Sequence, residues 1–214
     1  MADTRLTLIR HGETEWNREG RIQGYHADSV LTANGRAQAD RVAERLAGER
    51  VDALFSSDAG RASQTAAAIA AAVGLDVLYD AALRERNYGV FEGRTYEEIE
   101  REFPEAYRKF RSRDPHYAPP EGESGAQFRD RVVTALERVA EHPGARHSAV
   151  VTHGGVLGIA YRHVTDMLLE AKRDYSLHNA SVNRIVYSGG RWALEAWGDV
   201  AHLPAGSGDS IDKP

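Results

Sequence analysis

The run RLTLI (residues 5–9) is a short hydrophobic segment typical of a β-strand, and it stops abruptly at RHG (residues 10–12). A second run, SAVVT (residues 148–152), is typical of a buried strand and stops in the same way, at HGG (residues 153–155). Each strand-like run therefore leads into a histidine followed by glycine. This repeated arrangement predicts both the class of fold and the place where the functional residues meet.

Strand-like and helix-like segments alternate around these two runs. Thr32 is suited to capping a helix whose apolar residues share one face, and Ser124 with Gln127 has the spacing of a capping box for a longer helix. Residues 12–24 are predicted as a polar loop. Further elements are predicted as strands at 51–55 and 75–79, a helix capped by residues 56–58, a helix after residue 153 that extends to Met167, and a hairpin at 182–187 and 192–197. The alternation predicts an α/β fold with a mostly parallel central sheet flanked by helices on both faces.

Residues 84–121 fit this alternation less well and are predicted to leave the sheet. A short helix is expected before Pro104, which is suited to opening another helix, and residues 113–120 are typical of a loop. We expect one catalytic domain over residues 1–203, in which residues 84–121 form a lid or substrate wall. Residues 204–214 contain too few apolar side chains to pack and are predicted to be a mobile tail.

Composition excludes several classes of function. The chain of 214 residues contains no cysteine, which excludes disulfides, zinc–thiolate sites, iron–sulfur clusters and thiol catalysis. Its formal net charge of -5 disfavours a nucleic-acid binder with a broad basic surface. No apolar run approaches the roughly 18 residues of a membrane span. The N-terminus leads directly into a strand without a secretion signal, so a cytoplasmic location is expected.

Three predicted strand ends direct cationic and imidazole side chains toward one edge of the sheet. Arg10 and Arg61 carry permanent charge and are suited to bidentate binding of tetrahedral oxyanions. Backbone amides at Gly154 add donors at the start of a helix. Because cysteine is absent, an imidazole is the best-suited covalent nucleophile. His11 and His153 stand out because both end strands beside glycine, which predicts a phosphoryl pocket with His11 as nucleophile and His153 as a stabiliser of charge.

Six ordered motifs resemble the histidine phosphatase superfamily, the phosphoglycerate mutase-like group. The first is LIRHGETEWN (residues 8–17) and the last is THGG (residues 152–155). Between them lie RIQG and LT (21–24 and 31–32), SSD with RA and QT (56–58, 61–62 and 64–65), LRE with G and EG (83–85, 89 and 92–93), and GES (122–124). A single RHG recurs by chance, whereas six motifs in order over residues 5–203 are specific. The resemblance implies the α/β fold of this family and membership of its phosphatase branch.

The resemblance also implies a role for each candidate site residue. His11 is phosphorylated during turnover. Glu85 protonates the leaving oxygen and then acts as the base for the incoming water or alcohol. The phosphoryl oxygens are held by Arg10, Arg61 and His153, with further hydrogen bonds to the phosphoryl group or substrate from Asn17 and Gln23.

Glu85 needs a raised pKa to act as an acid near neutral pH. Arg84 and Arg86 flank it and would lower that pKa, but adjacent residues of an extended segment point in opposite directions. A surface ion pair is the alternative role for this carboxylate. No metal or cofactor is predicted, because arginines and imidazoles balance the phosphoryl charge. Three acidic residues lie near the predicted pocket, but they do not have the pattern of a metal-binding site: Glu13, Glu15 and Asp28.

Three functions stay open at this point. The short segment before Ser124, together with Tyr25-His26 in place of the Gly-Trp pair of mutases, resembles the phosphatase branch. Residues 85–89 instead resemble both mutases and fructose-2,6-bisphosphatases. We expect a metal-independent phosphomonoesterase that acts on small phosphorylated metabolites through a phosphohistidine. The alternatives are a phosphoglycerate mutase and a binding or regulatory protein that keeps the fold without turnover.

The predicted substrate pocket beyond the phosphoryl group is formed by residues of two segments. One segment supplies Gly24, Tyr25 and His26, and Tyr88 lies in the other. Residues 104–120 are expected beside this pocket. Three basic residues there either meet a second anionic group or form a solvated helix face: Lys109, Arg111 and Arg113. We expect the protein to act as a monomer or a homodimer.

Overall fold

Parallel strands form the centre of the fold. The computed structural model describes residues 3–26 and 29–204, and within these residues six strands form one sheet. The strands are β1 (Thr4–Arg10), β2 (Ala53–Ser56), β3 (Val77–Tyr79), β4 (His147–Thr152), β5 (Val182–Ser188) and β6 (Arg191–Asp199). They lie in the order β3-β2-β4-β1-β5-β6. The first four in this order are parallel, and the β5–β6 hairpin joins through β5, antiparallel to β1. The mostly parallel sheet is confirmed.

Seven α-helices accompany the sheet within the described residues. They are α1 (Glu15–Glu19), α2 (Ala33–Ala47), α3 (Gly60–Val73), α4 (Tyr96–Glu102), α5 (Pro104–Arg111), α6 (Gly125–Ala140) and α7 (Gly154–Val164). Single turns of 3-10 helix lie at Ala81–Leu83 and Gly89–Phe91. In the described part of the chain, no helix has the length and apolar character needed to cross a membrane.

Alternating side chains of the two central strands separate two helical layers. Leu8 of β1 and Val150 of β4 belong to a buried cluster with residues of α6 and α7. Ile9 and Val151, the next residues along the same strands, belong to a second cluster with residues of α2 and α3. All four side chains are fully buried, and each stabilises the fold by about 1.5–3 kcal/mol relative to an exposed position. The predicted placement of helices on both faces of the sheet is therefore confirmed.

Several predicted helix ends are confirmed by their hydrogen bonds. The Thr32 hydroxyl accepts from the Gly35 amide at the start of α2. Ser124 and Gln127 form a complete capping box at the start of α6. Pro104 is the first residue of α5, where its missing N–H costs nothing.

Residues 84–121 contribute no strand to the sheet and form a small apolar cluster of their own. Phe91 and Ile99 are fully buried in this cluster, and Ile22, from the segment after α1, packs against them at 9% exposure. Half-buried side chains of α4, α5 and the preceding turn pack around them, including Phe103 and Phe110. Residues 84–121 therefore pack around a small apolar cluster beside the main core.

Two predictions of local structure near the strand ends are wrong. The predicted polar loop after β1 contains α1, because Thr14 and Asn17 form a capping box that starts a short helix. Residues 56–58 do not cap α3, whose N-cap is Ala59 without a side-chain hydrogen bond. Two of these three side chains instead contact other segments. The Ser57 hydroxyl contacts His153, and Asp58 forms an ion pair with Arg84.

Three further predictions concern chain ends and unplaced residues. Helix α7 ends at Val164, so Met167 lies beyond the helix that was predicted to carry it. Asp28 and residues 205–214, the greater part of the predicted tail, lie outside the described residues.

Candidate active site

The pairing of β1 with β4 brings the two strand-end histidines together. Arg10 lies opposite Thr152 in the register of this parallel pair, and the His11 amide donates to the Thr152 carbonyl at 2.9 Å. The imidazole rings of His11 and His153 consequently lie with their centroids 5.3 Å apart and their planes at 61°. Residues from opposite halves of the chain thus meet within the span of one tetrahedral anion.

His11 is held as a neutral imidazole with a defined tautomer. Its side chain is 3% exposed, and Nδ1 lies 2.8 Å from the Gly12 carbonyl oxygen. Because a carbonyl only accepts hydrogen bonds, Nδ1 carries the proton and Nε2 keeps its lone pair. Burial, followed by the charges of Arg61 and Arg10, holds the His11 pKa well below its usual value of 6.5. The free site therefore presents an unprotonated Nε2 suited to nucleophilic attack.

His153 is neutral for similar reasons but has different partners. The residue is fully buried, and Nε2 lies 2.8 Å from the Ser57 hydroxyl oxygen. Nδ1 is buried without a hydrogen-bond partner among the described residues. Burial is the largest cause that holds the His153 pKa well below 6.5. The charges of Arg61, His11 and Arg10 lower this pKa further.

Two buried guanidinium groups supply the positive charge of the site. Arg10 and Arg61 are 2% and 1% exposed, although arginine is rarely buried to this extent. Arg10 donates through Nη1 to the Leu177 carbonyl, and Arg61 donates through Nη2 to the Gly24 carbonyl at 3.1 Å. Both residues also line the cavity described below. Their positions make this end of the sheet suited to an anion.

Glu85 is a buried carboxyl with a raised pKa. Oε1 accepts from the Arg86 amide at 2.7 Å, and Oε2 accepts from the Gly155 amide at 2.8 Å. Burial raises the pKa above its usual value of 4.5, and this effect outweighs the opposing backbone hydrogen bonds and the charges of Arg61 and Arg10. A β-carbon at residue 155 would lie 2.0 Å from Oε1, so only glycine leaves room for the carboxyl here.

The segment that carries Glu85 is held in place by one arginine of α6. Arg131 donates to the carbonyl oxygens of Ala82, Arg84 and Glu85 at 2.9–3.1 Å. Its guanidinium group also forms an ion pair with Glu123. Because residues 84–88 belong to neither a helix nor a strand, these contacts replace the regular hydrogen bonding that would otherwise position the carboxyl.

A network of amides positions the loop that follows β1. Asn179 donates through Nδ2 to the His11 carbonyl at 3.0 Å and to Oδ1 of Asn17 at 3.2 Å. The Asn17 Oδ1 also accepts from the Thr14 amide at 3.0 Å. The Thr14 hydroxyl donates to Oε1 of Gln23 at 2.9 Å. Both amide oxygens are engaged, so within the described part of the chain the NH₂ groups of Asn17 and Gln23 are the donors available to a ligand.

A cavity of about 1070 Å³ opens onto these residues. The predicted site residues on its wall are Arg10, His11, Asn17, Gln23, Arg61, Glu85, Tyr88 and Gly154. His153 is not on the wall; its buried ring lies beside His11. The segment of residues 84–121 contributes Tyr88, Tyr96 and Phe110 to the cavity wall.

The other three predicted substrate-pocket residues are not on the cavity wall. The Glu92 carboxylate accepts from the amides of Tyr25 and His26 at 2.8 and 3.1 Å. It approaches so closely that a β-carbon on Gly24 would lie 1.9 Å from Oε1 of Glu92. The Tyr25 ring lies under the Arg84 guanidinium group, 4.7 Å away. Of the predicted pocket residues, the structure therefore places Tyr88 alone on the wall, and Gly24 contributes by accepting from Arg61.

Burial of two neutral histidines predicts a loss of stability on mild acidification. Since the pKa values of His11 and His153 are lowered in the folded protein, the unfolded chain binds protons first as the pH falls below about 6.5. The free energy of unfolding should then fall by up to about 1.4 kcal/mol per pH unit for each histidine. The raised pKa of Glu85 acts in the opposite direction, because its stabilising protonation is lost as the pH rises.

Urea unfolding at pH 7.5 and 5.5 measures this dependence. The double variant His11→Gln, His153→Gln should show a flatter dependence than the wild type. His163→Gln, which alters a histidine outside the cavity wall, serves as the control. Equal pH dependence in the wild type and the double variant would contradict the assignment of the effect to these two imidazoles.

Comparison with known proteins adds independent evidence on the family. A sequence profile of the histidine phosphatase superfamily (branch 1) matches residues 6–200. The phosphoglycerate mutase-like protein 4 of Arabidopsis thaliana is 43% identical over 202 residues, covering 92% of this chain and 86% of that protein. The solved structure of Bacillus stearothermophilus YhfR is 36% identical, with a TM-score of 0.85 over 94% of this chain and 100% of that one. The Shigella flexneri α-ribazole phosphatase is 28% identical, with a TM-score of 0.84 over 92% of this chain and 96% of that one. The chain belongs to the histidine phosphatase superfamily.

Proposed function

We propose that this protein is a phosphomonoesterase that hydrolyses small phosphorylated metabolites through a phosphorylated His11. The observation that carries the proposal is the convergence of a neutral His11, two buried arginines and the buried carboxyl of Glu85 on one cavity. A nucleophile, a cationic cradle and a proton donor are the three parts that phosphoryl transfer to an imidazole needs.

In the first step, Nε2 of His11 attacks phosphorus and the ester P–O bond breaks. The leaving oxygen takes the proton of Glu85, which ends the step as a carboxylate. Arg10 and Arg61 bind the equatorial oxygens, where negative charge is concentrated in the transition state. Their guanidinium groups supply the charge neutralisation for this step, which supports the expectation of metal-independent activity.

In the second step, the Glu85 carboxylate takes a proton from water as the water oxygen attacks the phosphoryl group. The N–P bond breaks, and the electron pair returns to Nε2 of His11. Glu85 is protonated again and inorganic phosphate leaves. The proton balance closes over one turnover because the same carboxyl first donates a proton and then recovers one.

Binding of the substrate acts on the protonation of Glu85 and of the imidazoles. An incoming phosphate dianion adds negative charge near Glu85 and further favours its protonated form. The same anion favours protonation of the nearby imidazoles, which the free site holds neutral. Burial thus favours an unprotonated His11 and a protonated Glu85 in the free site.

A phosphoglycerate mutase uses the same first step and differs in the acceptor, which is a hydroxyl of the substrate instead of water. The relatives support both activities by name: one is called mutase-like and another is called a phosphatase. A screen of glycerate, sugar and nucleoside monophosphates and bisphosphates separates them, with product isomers followed in the presence of 2,3-bisphosphoglycerate. Free phosphate supports the proposal. An isomer with little free phosphate supports a mutase. If neither free phosphate nor an isomer forms, the protein has no turnover with these substrates.

The outer part of the cavity favours a substrate with a second acidic group. Basic side chains from two separate segments line it: Arg111 and Arg113 at the end of α5, and Arg162, Lys172 and Arg173 in and after α7. The exposed Lys109, which was predicted together with the first two, is not on this wall. Lys109, Arg111 and Arg113 are all exposed, so both predicted interpretations of these residues, contact with a second anionic group and a solvated helix face, stay open.

Replacing both Arg111 and Arg113 with methionine should raise the KM for 3-phosphoglycerate about tenfold, since hydrogen bonds to charged groups contribute about 1.5–3 kcal/mol. The KM for p-nitrophenyl phosphate, which has no second acidic group, should change less than about twofold. Lys109→Met is the matched control on the same helix and should change neither value. An equal rise for both substrates would contradict a role in selecting the second group.

A further inference from the structure

Ser57 makes a buried contact with His153 that the phosphoryl-transfer steps described above do not use. It follows the last residue of β2 and is fully buried. Its hydroxyl oxygen lies 2.8 Å from Nε2 of His153 and accepts from the Ala59 amide at 3.3 Å. Among the described residues, the acceptor in reach of the Ser57 hydroxyl proton is Nε2 of His153.

A neutral imidazole donates a hydrogen bond from one nitrogen alone. His153 is neutral in the free site because burial and the surrounding positive charges lower its pKa. Its usefulness to an anion therefore depends on which nitrogen carries the proton. Nε2 faces Ser57, and Nδ1 is the nitrogen without a partner among the described residues.

We propose that Ser57 is a positioning residue that sets the tautomer of His153. The Ser57 hydroxyl donates to Nε2, which leaves the proton of the ring on Nδ1. Nδ1–H then donates to a phosphoryl oxygen of the bound substrate. This last contact rests on the proposed function, whereas the tautomer itself is a property of the free protein.

The opposite tautomer would leave two groups poorly placed. If Nε2 carried the proton, it would donate to Ser57, and the Ser57 hydroxyl proton would have no acceptor among the described residues. Nδ1 would also keep a buried lone pair, and it would have no proton to donate to a bound phosphoryl oxygen. When Ser57 donates to Nε2, the Ser57 hydroxyl proton has its acceptor in the free protein, and the Nδ1 proton gains an acceptor when a phosphoryl oxygen binds.

The direct test is the ring tautomer of His153 in the free enzyme. Two-bond ¹H–¹⁵N correlation spectra of histidine-labelled protein at pH 8 distinguish protonated from unprotonated ring nitrogens, and His153→Gln identifies the signals. We expect a protonated Nδ1, with its proton shifting downfield when inorganic phosphate is added. A protonated Nε2 in the wild type would overturn the proposal without any need for a Ser57 variant.

Substitution then tests whether Ser57 is the cause. Ser57→Ala should shift the His153 tautomer toward Nε2–H and lower kcat for p-nitrophenyl phosphate by at least about tenfold, since a wrong tautomer disables a catalytic imidazole. Ser57→Thr keeps the hydroxyl and should restore the Nδ1–H tautomer. Ser56→Ala is the matched control, because that buried hydroxyl bonds to the Ser57 carbonyl and not to an imidazole.

The outcomes separate this proposal from the proposed function. An unchanged His153 tautomer in Ser57→Ala, or an equal loss of activity in Ser56→Ala, would overturn the role of Ser57. If the tautomer follows Ser57 but no phosphohistidine forms with any substrate, the tautomer assignment stands and the phosphatase proposal fails.

Discussion

Replacing His11 with alanine is expected to abolish turnover, lowering kcat by at least about 10⁴-fold, as loss of a covalent nucleophile does in other enzymes. His11 lines the cavity, and its Nδ1 bonds to the Gly12 carbonyl, which leaves Nε2 as the unprotonated nitrogen. His153 is buried and bonded to Ser57, so it is not placed to take over the attack. The fold should persist, because the polar contact of the His11 ring is with the neighbouring Gly12 carbonyl.

Labelling with a ³²P-phosphorylated substrate measures the same step chemically. The wild type should acquire an acid-labile, alkali-stable label, and His11→Ala should acquire none. His163→Ala, which alters a half-buried histidine at the end of α7, should label like the wild type. Turnover by His11→Ala at the wild-type rate would reject the nucleophile.

The second large effect is expected at Glu85. Glu85→Gln keeps the shape of the side chain but removes the proton that the leaving oxygen needs. Hydrolysis of alkyl phosphates should slow by about 10²–10⁴-fold, whereas aryl phosphates, whose leaving groups need little protonation, should slow less than about tenfold. The wild-type rate with alkyl phosphates should also fall as the pH rises through the elevated pKa of Glu85, because only the protonated form donates.

Glu19→Gln is the matched control for this experiment. Glu19 also lines the cavity, but its carboxylate pairs with Arg21 at 2.8 Å. We expect a change of less than about twofold with either class of substrate. Equal slowing of alkyl and aryl phosphates by Glu85→Gln would contradict the role of Glu85 as the acid.

Much of the fold and the centre of the site follow from the pattern of strand ends. The runs at residues 5–9 and 148–152 are short and strand-like, and the strands that contain them, β1 and β4, are parallel neighbours in the sheet. Since parallel strands end at the same edge, the meeting of His11 and His153 could be predicted before any coordinates. The roles of these residues in turnover stay predictions until the experiments above are done.

Contacts between distant, irregular segments could not be predicted. Ser57 has the sequence context of a helix cap, and only the tertiary structure shows that its hydroxyl meets His153. Arg131 lies on a helix with no local sign that its guanidinium group holds the Glu85 segment. Asn179 is likewise an ordinary loop residue by sequence, yet it bonds to the His11 carbonyl.

The same limit explains why Tyr25 and His26 do not lie on the cavity wall as predicted. Gln23, two residues before Tyr25, does line the cavity. The resemblance sets Tyr25 and His26 against the Gly-Trp pair of mutases, and the prediction puts both residues in the substrate pocket. The sequence contains no local signal that Glu92 accepts from both of their backbone amides and holds them off the cavity wall. A half-buried carboxylate that bonds to a loop 66 or 67 positions away is a tertiary effect.

The central place of β1 has a consequence for synthesis of the protein. Of the six described strands, β1 leaves the ribosome first, yet both strands that flank it, β4 and β5, begin after residue 146. Until those strands emerge, the nascent chain carries an apolar segment with two unpaired edges, which is prone to aggregate and is a natural target for chaperones. A product truncated before residue 147 would therefore lack His153 and would also expose the strand that carries Arg10 into the site.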